Sequence, residues 1–162
     1  MSRPPSDHEL EQLFTSYMGK ELFLSKNGEW FHEGVKFSHK KLASLFHRSI
    51  RWDAELNSFV IRIGKGRATF THDGYVRFVT AITETDAGIS VIFASDESLP
   101  MSPKDLCIQQ EEDQEIFLLR SPGFPTARFT RRAQQLLLQY AQSDNSLKIG
   151  DAIFTIPSCG ES

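Results

Sequence analysis

Apolar residues recur at helical spacing in three stretches of the chain and alternate over much of the rest. Leu10, Leu13, Phe14 and Tyr17 predict a short helix starting near Asp7. Leu42, Leu45, Phe46 and Ile50 form a stripe along "HKKLASLFHRSI", for which Ser38 is the expected N-cap. The strongest helical pattern is Phe129, Ala133, Leu136, Leu137 and Tyr140, with "DNS" at 144–146 ending it. "LFLSKNGEWFHEG" reads as two short strands around Lys26-Asn27-Gly28, because Asn-Gly supplies the positive φ of a tight hairpin. Phe59, Ile61 and Ile63, then Ala68 and Phe70, then Val76, Phe78, Thr80 and Ile82 keep period two, and "ISVIFA" over 89–94 follows. The turns at Asp73-Gly74 and Asp86-Ala87-Gly88 are too short for crossover helices, so this run predicts an antiparallel meander.

Farther on, "SDESLPMSPKD" is a polar connection, "EEDQ" a solvated turn, "EIFLLRS" a strand and "SPGFP" a rigid loop. "LKIGDAIFTIP" predicts a closing hairpin around Gly150-Asp151. The fold class expected is α+β with largely antiparallel sheets and amphipathic helices. Four segments are expected: 1–19 with a disordered "MSRPP" and a short helix, an α+β half over 20–82, a second half over 83–157, and a flexible tail over 158–162.

Composition supports a packed protein. The chain has 162 residues, 40% hydrophobic and 11% aromatic, enough to bury a core and exclude global disorder. No apolar run approaches the roughly 20 residues of a membrane span. "MSRPPSDHELEQLF" has no apolar signal region, so the expected location is cytoplasmic, with the isolated Cys107 and Cys159 as reduced thiols. Net charge is −3, but residues 1–81 carry 12 Lys/Arg against 9 Asp/Glu (+3), and residues 82–162 carry 6 against 12 (−6). Basic residues form only local clusters, so extended nucleic-acid binding is not expected.

Candidate chemistry is sparse. There is no GxSxG, no HExxH, no metal-ligand spacing among the five histidines, and no implied cofactor. "IGKGR" at 63–67 resembles a phosphate loop but fails its spacing and is followed by a strand, so a hairpin turn accounts for its glycines. The helix starts say more. His39, Lys40 and Lys41 open one helix, and Arg128, Arg131 and Arg132 surround the start of another. Cations at outward-pointing N–H groups run against the helix dipole and suit an anion. The competing reading pairs those cations with the chain's own carboxylates, for instance in "EEDQE" at 111–115.

"GEWFHEGVKFSHKKLASLFHRSIRWD" resembles the opening block of a bacterial family, domain of unknown function 1285, matching at Trp30, Gly34, Phe37, Leu42, Leu45 and Phe46. "ARFTRRAQQLLLQYA" with "GDAIFTIP" is similar to that family's closing helix and hairpin, with Ala127-Arg128-Phe129-Thr130-Arg131 as the nearest match. The likeness spans roughly residues 20–157, and departs at "THDGYVRF" and before the lysine turn. It implies a duplicated α+β core with a C-terminal half like a pleckstrin-homology fold. It also implies a nucleotide-like ligand between the halves in signalling, and no carried-over catalytic residues.

The function expected is a non-catalytic module binding a small anionic molecule through Arg128, Arg131 and Arg132. Lys65, Arg67 and Arg77 form a second wall, and His39, Lys40 and Lys41 are weaker candidates. Trp30 or Trp52 could stack on a base, Trp30 being the better core residue. The alternative is a protein-interaction adaptor accepting a partner strand at an exposed edge such as "ISVIFA". A hydrolase or transferase ranks last.

Overall fold

The structure is a computed structural model that describes residues 6–143 and 145–160. The expected disorder of residues 1–5 therefore lies outside the described residues. The chain divides into two compact units, Met1–Val76 and Arg77–Ser162. The expected division after residue 82 would cut through Arg77–Thr85, which is one continuous strand.

In the first unit, α1 (Asp7–Tyr17) starts at Ser6, whose Oγ accepts the N–H of Glu9. There follow β1 (Leu22–Leu24), β2 (Trp30–His32), β3 (Val35–Lys36), α2 (Lys40–Arg48), β4 (Ile50–Asp53), β5 (Ser58–Ile63), β6 (Gly66–Thr69) and β7 (Thr71–His72). The N-cap of α2 is His39, not Ser38: its Nδ1 accepts the N–H of Leu42 at 3.1 Å, the bond a serine cap would have made. Strands β3-β2-β1-β7 form one sheet and β4-β5-β6 another. The helices bury part of the stripes read from sequence: Leu10 and Phe14 of α1 and Leu42 and Phe46 of α2 are buried, whereas Leu13 is exposed and Ile50 falls in β4. The Phe46 ring lies 5.4–6.2 Å from the rings of Phe14, Tyr17, Trp30 and Phe37.

The "IGKGR" segment is a hairpin turn, as its spacing predicts. Ile63 pairs with Gly66, Gly64 has φ +58°, and Lys65 sits exposed at the tip. Gly66 has a second role. A Cβ there would stand 2.9 Å from Met18 Sδ and 3.0 Å from Phe14 Cε2, so its missing side chain lets α1 settle on the hairpin.

The meander is interrupted. Strand β7 leaves it to pair in parallel with β1, Phe23 opposite Thr71 and Leu24 opposite His72. Alternation alone identifies strands but not their neighbours, and the bend after Thr69 sends the chain to a different sheet.

The second unit comprises β8 (Arg77–Thr85), β9 (Gly88–Phe93), β10 (Ser98–Pro100), a 3₁₀ turn (Pro103–Asp105), β11 (Leu106–Glu111), β12 (Gln114–Leu119), β13 (Ala127–Phe129), α3 (Arg131–Leu138), β14 (Ala141–Ser143), β15 (Ser146–Ile149) and β16 (Ala152–Thr155). The polar connection after "ISVIFA" thus contains a short strand. Six strands form one sheet in the order β10-β9-β8-β13-β12-β11. Its middle position is filled by β13, parallel to β8 and antiparallel to β12. Helix α3 starts two residues later than Phe129, because Ala127–Phe129 is this strand, and Thr130 caps the helix by accepting the N–H of Ala133. Ala133 and Leu137 of α3 join Val79, Val91, Phe93, Ala127, Phe129 and Leu147 in the core of this unit. The closing hairpin, Ile149 opposite Ala152 around Gly150-Asp151, forms as predicted and extends the three-stranded sheet β14-β15-β16.

Two expectations are overturned here. "ISVIFA" is not an exposed edge, since β9 is paired on both sides, to β8 and to β10. Cys107 and Cys159 are not free thiols but a disulfide, with Cα atoms 4.8 Å apart. Residues 158–160 consequently do not form a loose tail: Cys159 is buried and its N–H donates to the carbonyl of Ile108. A separation of 52 residues hid this pairing from local sequence patterns.

Candidate functional site

The sequence-predicted cations meet different fates, and carboxylates decide two of them, Arg67 and Arg128. Arg67 of β6 donates from Nη1 to Asp53 Oδ2 at 3.0 Å, and Arg62 of β5 donates from Nη2 to the same oxygen at 2.9 Å. Asp53 is 4% exposed, and its other oxygen accepts the N–H of Leu56 at 3.1 Å. That backbone donor, then the Arg67 and Arg62 guanidiniums, hold the Asp53 carboxyl below its ordinary pKa against the opposing effect of burial. Trp52 on β4 is largely exposed and packs edge-on against Phe59, whereas Trp30 is buried against Phe46, His47 and Phe70. At the start of α2, His39 is consumed as the cap, and Lys40 and Lys41 are exposed.

Arg128 lies in β13 rather than at a helix start. It is 5% exposed, and its guanidinium grips Glu111 in two bonds of 2.7 and 3.3 Å. This is the carboxylate pairing that the competing reading assigned to "EEDQE". Arg131 and Arg132 do open α3 and are exposed. They are not one helical turn from Arg128, because the chain between is a strand and a cap.

Arg77 is different. It begins β8 opposite Ala127, on the face that carries Val79 into the core. Its guanidinium carbon lies 4.0 Å from the ring centre of Phe93 and 4.5 Å from that of Phe124. The cation is thus sandwiched between a buried ring of β9 and a ring of the "SPGFP" loop, which is 57% exposed. Nη1 is buried and has no hydrogen-bond partner, as is also true of Trp30 Nε1 and His32 Nε2 in the first unit. Burial lowers the Arg77 pKa, partly countered by the nearby Glu97 carboxylate. The group stays charged at neutral pH, since arginine starts so high. Chemically, it is a partly desolvated cation with an unused donor, one face covered by an exposed ring.

Sequence reasoning singled out Arg77 but not Phe93, Phe124 or Glu97. The signal for Phe124 was present: a large apolar residue between Gly123 and Pro125 has little local structure to pack into. The signal for Phe93 and Glu97 required the pairing of β8 with β9.

Two cavities are lined by other residues. An open groove of about 410 Å³ in the second unit is lined by Ile108, Gln109, Gln110, Arg120 and Cys159 among others. A hollow of about 190 Å³ in the first unit is lined by Glu21, Phe23, Phe31, Glu33 and Gly34. Among the described residues, no three His, Cys, Asp or Glu side chains converge on a metal position, and no helix is long and apolar enough to cross a membrane.

No protein-family model matches the chain, and no curated protein does. Solved structures do. One is a DUF1285 family protein from Silicibacter pomeroyi, with a TM-score of 0.61 and 11% identity over 85% of this chain and 80% of that one. The chain has the fold of DUF1285 family proteins. Another of them, from Shewanella baltica, superposes with a TM-score of 0.51 and 8% identity over 76% of this chain and 94% of that one. The DUF1285 resemblance carried by the Trp30–Phe46 block and the closing helix and hairpin therefore extends to three dimensions. At these identities the likeness speaks for the fold.

Proposed function

We propose that the chain is a non-catalytic binding module in bacterial signalling, taking a small anionic, nucleotide-like molecule, and that Arg77 is its anchoring cation. The observation that carries this reading is the Arg77 guanidinium, stacked between Phe93 and Phe124 with Nη1 unpartnered. An unsatisfied buried donor costs about 1–3 kcal/mol, and a phosphate or carboxylate oxygen would relieve that cost. Phe124 is exposed and carried by a loop, so a planar ring of the ligand could take its place on the guanidinium face. Arg131 and Arg132, exposed at the start of α3, are secondary contacts in this reading, and Arg128 is left out because Glu111 already engages it. The adaptor reading loses the edge it named, since β9 is an interior strand.

Thermal shift and calorimetry with inorganic phosphate, a dicarboxylate and a panel of nucleotides test this. A ligand at 100 times its Kd should add about 2.7 kcal/mol of stability. Arg77→Gln, checked for its fold by circular dichroism, should abolish the response, and Arg77→Lys should weaken it by losing the planar fork. If no anion gives a shift, or if the folded Arg77→Gln chain responds fully, the reading is wrong.

The compartment belongs to the same proposal. The sequence expectation is cytoplasmic, whereas a disulfide persists most readily in oxidising surroundings.

A further inference from the structure

Strand β11 is the last strand of the six-stranded sheet, and its outer edge is covered by the end of the chain. Ile108 N–H donates to the Pro157 carbonyl at 2.9 Å, and Cys159 N–H donates to the Ile108 carbonyl at 2.9 Å. Ser158 thereby stands opposite Ile108 as a one-residue parallel bridge. Arg120 adds a bond from Nη2 to the Cys159 carbonyl at 2.8 Å. These three hydrogen bonds are replaceable by water at little net cost. The covalent tie is the disulfide from Cys159 to Cys107, which sits on β11 itself. Cys159 is buried, and it is also one of the residues that line the open groove of about 410 Å³.

We propose that Cys107–Cys159 is a redox latch. Closed, it holds Pro157–Gly160 along the edge of β11; reduced, it frees that strap and bares the N–H and C=O of Ile108. The opening step is thiol–disulfide exchange with a dithiol reductant. Its thiolate attacks Cys159 Sγ, the bond to Cys107 Sγ breaks, and Cys107 leaves as a thiolate that takes up a proton. The second thiol of the reductant then closes on the mixed disulfide and releases Cys159. Two electrons and two protons reach the protein, and the reductant becomes a disulfide. The latch does not depend on Arg77 or on any anion.

Amide hydrogen exchange read residue by residue, on the full chain before and after dithiothreitol, tests it. Alkylation should count two new thiols. The Ile108 and Cys159 amides should then exchange at least tenfold faster, while those of Val79 and Val91 keep their protection. Cys107→Ser with Cys159→Ser should show the open pattern without reductant. Resistance of the native disulfide to dithiothreitol would overturn the proposal, as would unchanged Ile108 protection with both thiols counted. So would loss of protection throughout the sheet, which would make the bond a staple of the whole unit.

Discussion

Replacing Arg128 by alanine separates a structural arginine from a ligand-binding one. The side chain is 6% exposed, and Arg128 pairs with Phe78 of β8 on one side and Leu118 of β12 on the other. Truncation removes two buried methylenes, Cγ and Cδ, at ~0.8 kcal/mol each. It also removes a two-bond ionic contact worth about 1.5–3 kcal/mol. Glu111 is 29% exposed, so water recovers part of its solvation. The expected loss is about 3 kcal/mol, at the lower end for a broken buried pair. Urea unfolding followed by far-ultraviolet circular dichroism measures it. Both tryptophans, Trp30 and Trp52, fall within Met1–Val76, so fluorescence follows the first unit separately. A cycle with Glu111→Gln should give a coupling of at least about 1 kcal/mol. A loss below about 1 kcal/mol for Arg128→Ala, or additivity within ~0.5 kcal/mol, would refute the argument and return Arg128 to the ligand candidates.

Gly66→Ala should destabilise the first unit by about 1–3 kcal/mol through overpacking against Phe14 and Met18; a fluorescence-detected urea midpoint equal to wild type would contradict the close approach. The lowered pKa of Asp53 means that its stabilisation is fully present above the ordinary aspartate value of 3.8 and fades as pH falls through the lower folded-state value. The urea midpoint of the wild type should therefore drop from about pH 4 downward, and Asp53→Asn should flatten that limb; parallel acid profiles would sink the assignment.

Much of this fold could be read from periodicity, because α1, α2 and the closing hairpin are built from local spacing and local turns. What could not be read was topology. Ala127–Phe129 looks like the first turn of a strong amphipathic helix, since Phe129 is in phase with Ala133 and Leu136. Only the open positions beside β8 and β12 pull it into strand. That single reassignment moved Arg128 from a solvent-facing helix start to a buried partner of Glu111. "LCIQQE" at 106–111 has no turn residue or clear alternation to announce β11, and without β11 neither the Arg128 pairing nor the disulfide could be foreseen. Arg77 was visible as a basic residue on a strand, but its two aromatic neighbours come from 16 and 47 residues away, beyond the reach of any spacing rule.

The three-residue strand β13 also imposes an order in time. When a ribosome has delivered residues 77–119, the β8–β9–β10 and β11–β12 blocks can each form, but they share no hydrogen bonds. Each then presents an unpaired flank of backbone groups, bordered by Phe78 and Val79 on one side and Leu118 and Leu119 on the other. Such flanks invite association between nascent chains. The sheet is joined only when Ala127–Phe129 emerges and slots between them, and the N–H of Thr130, bonded to the Val79 carbonyl, continues the seam into the cap of α3. Fragments ending before residue 127 are therefore expected to aggregate even though they contain five of the six strands.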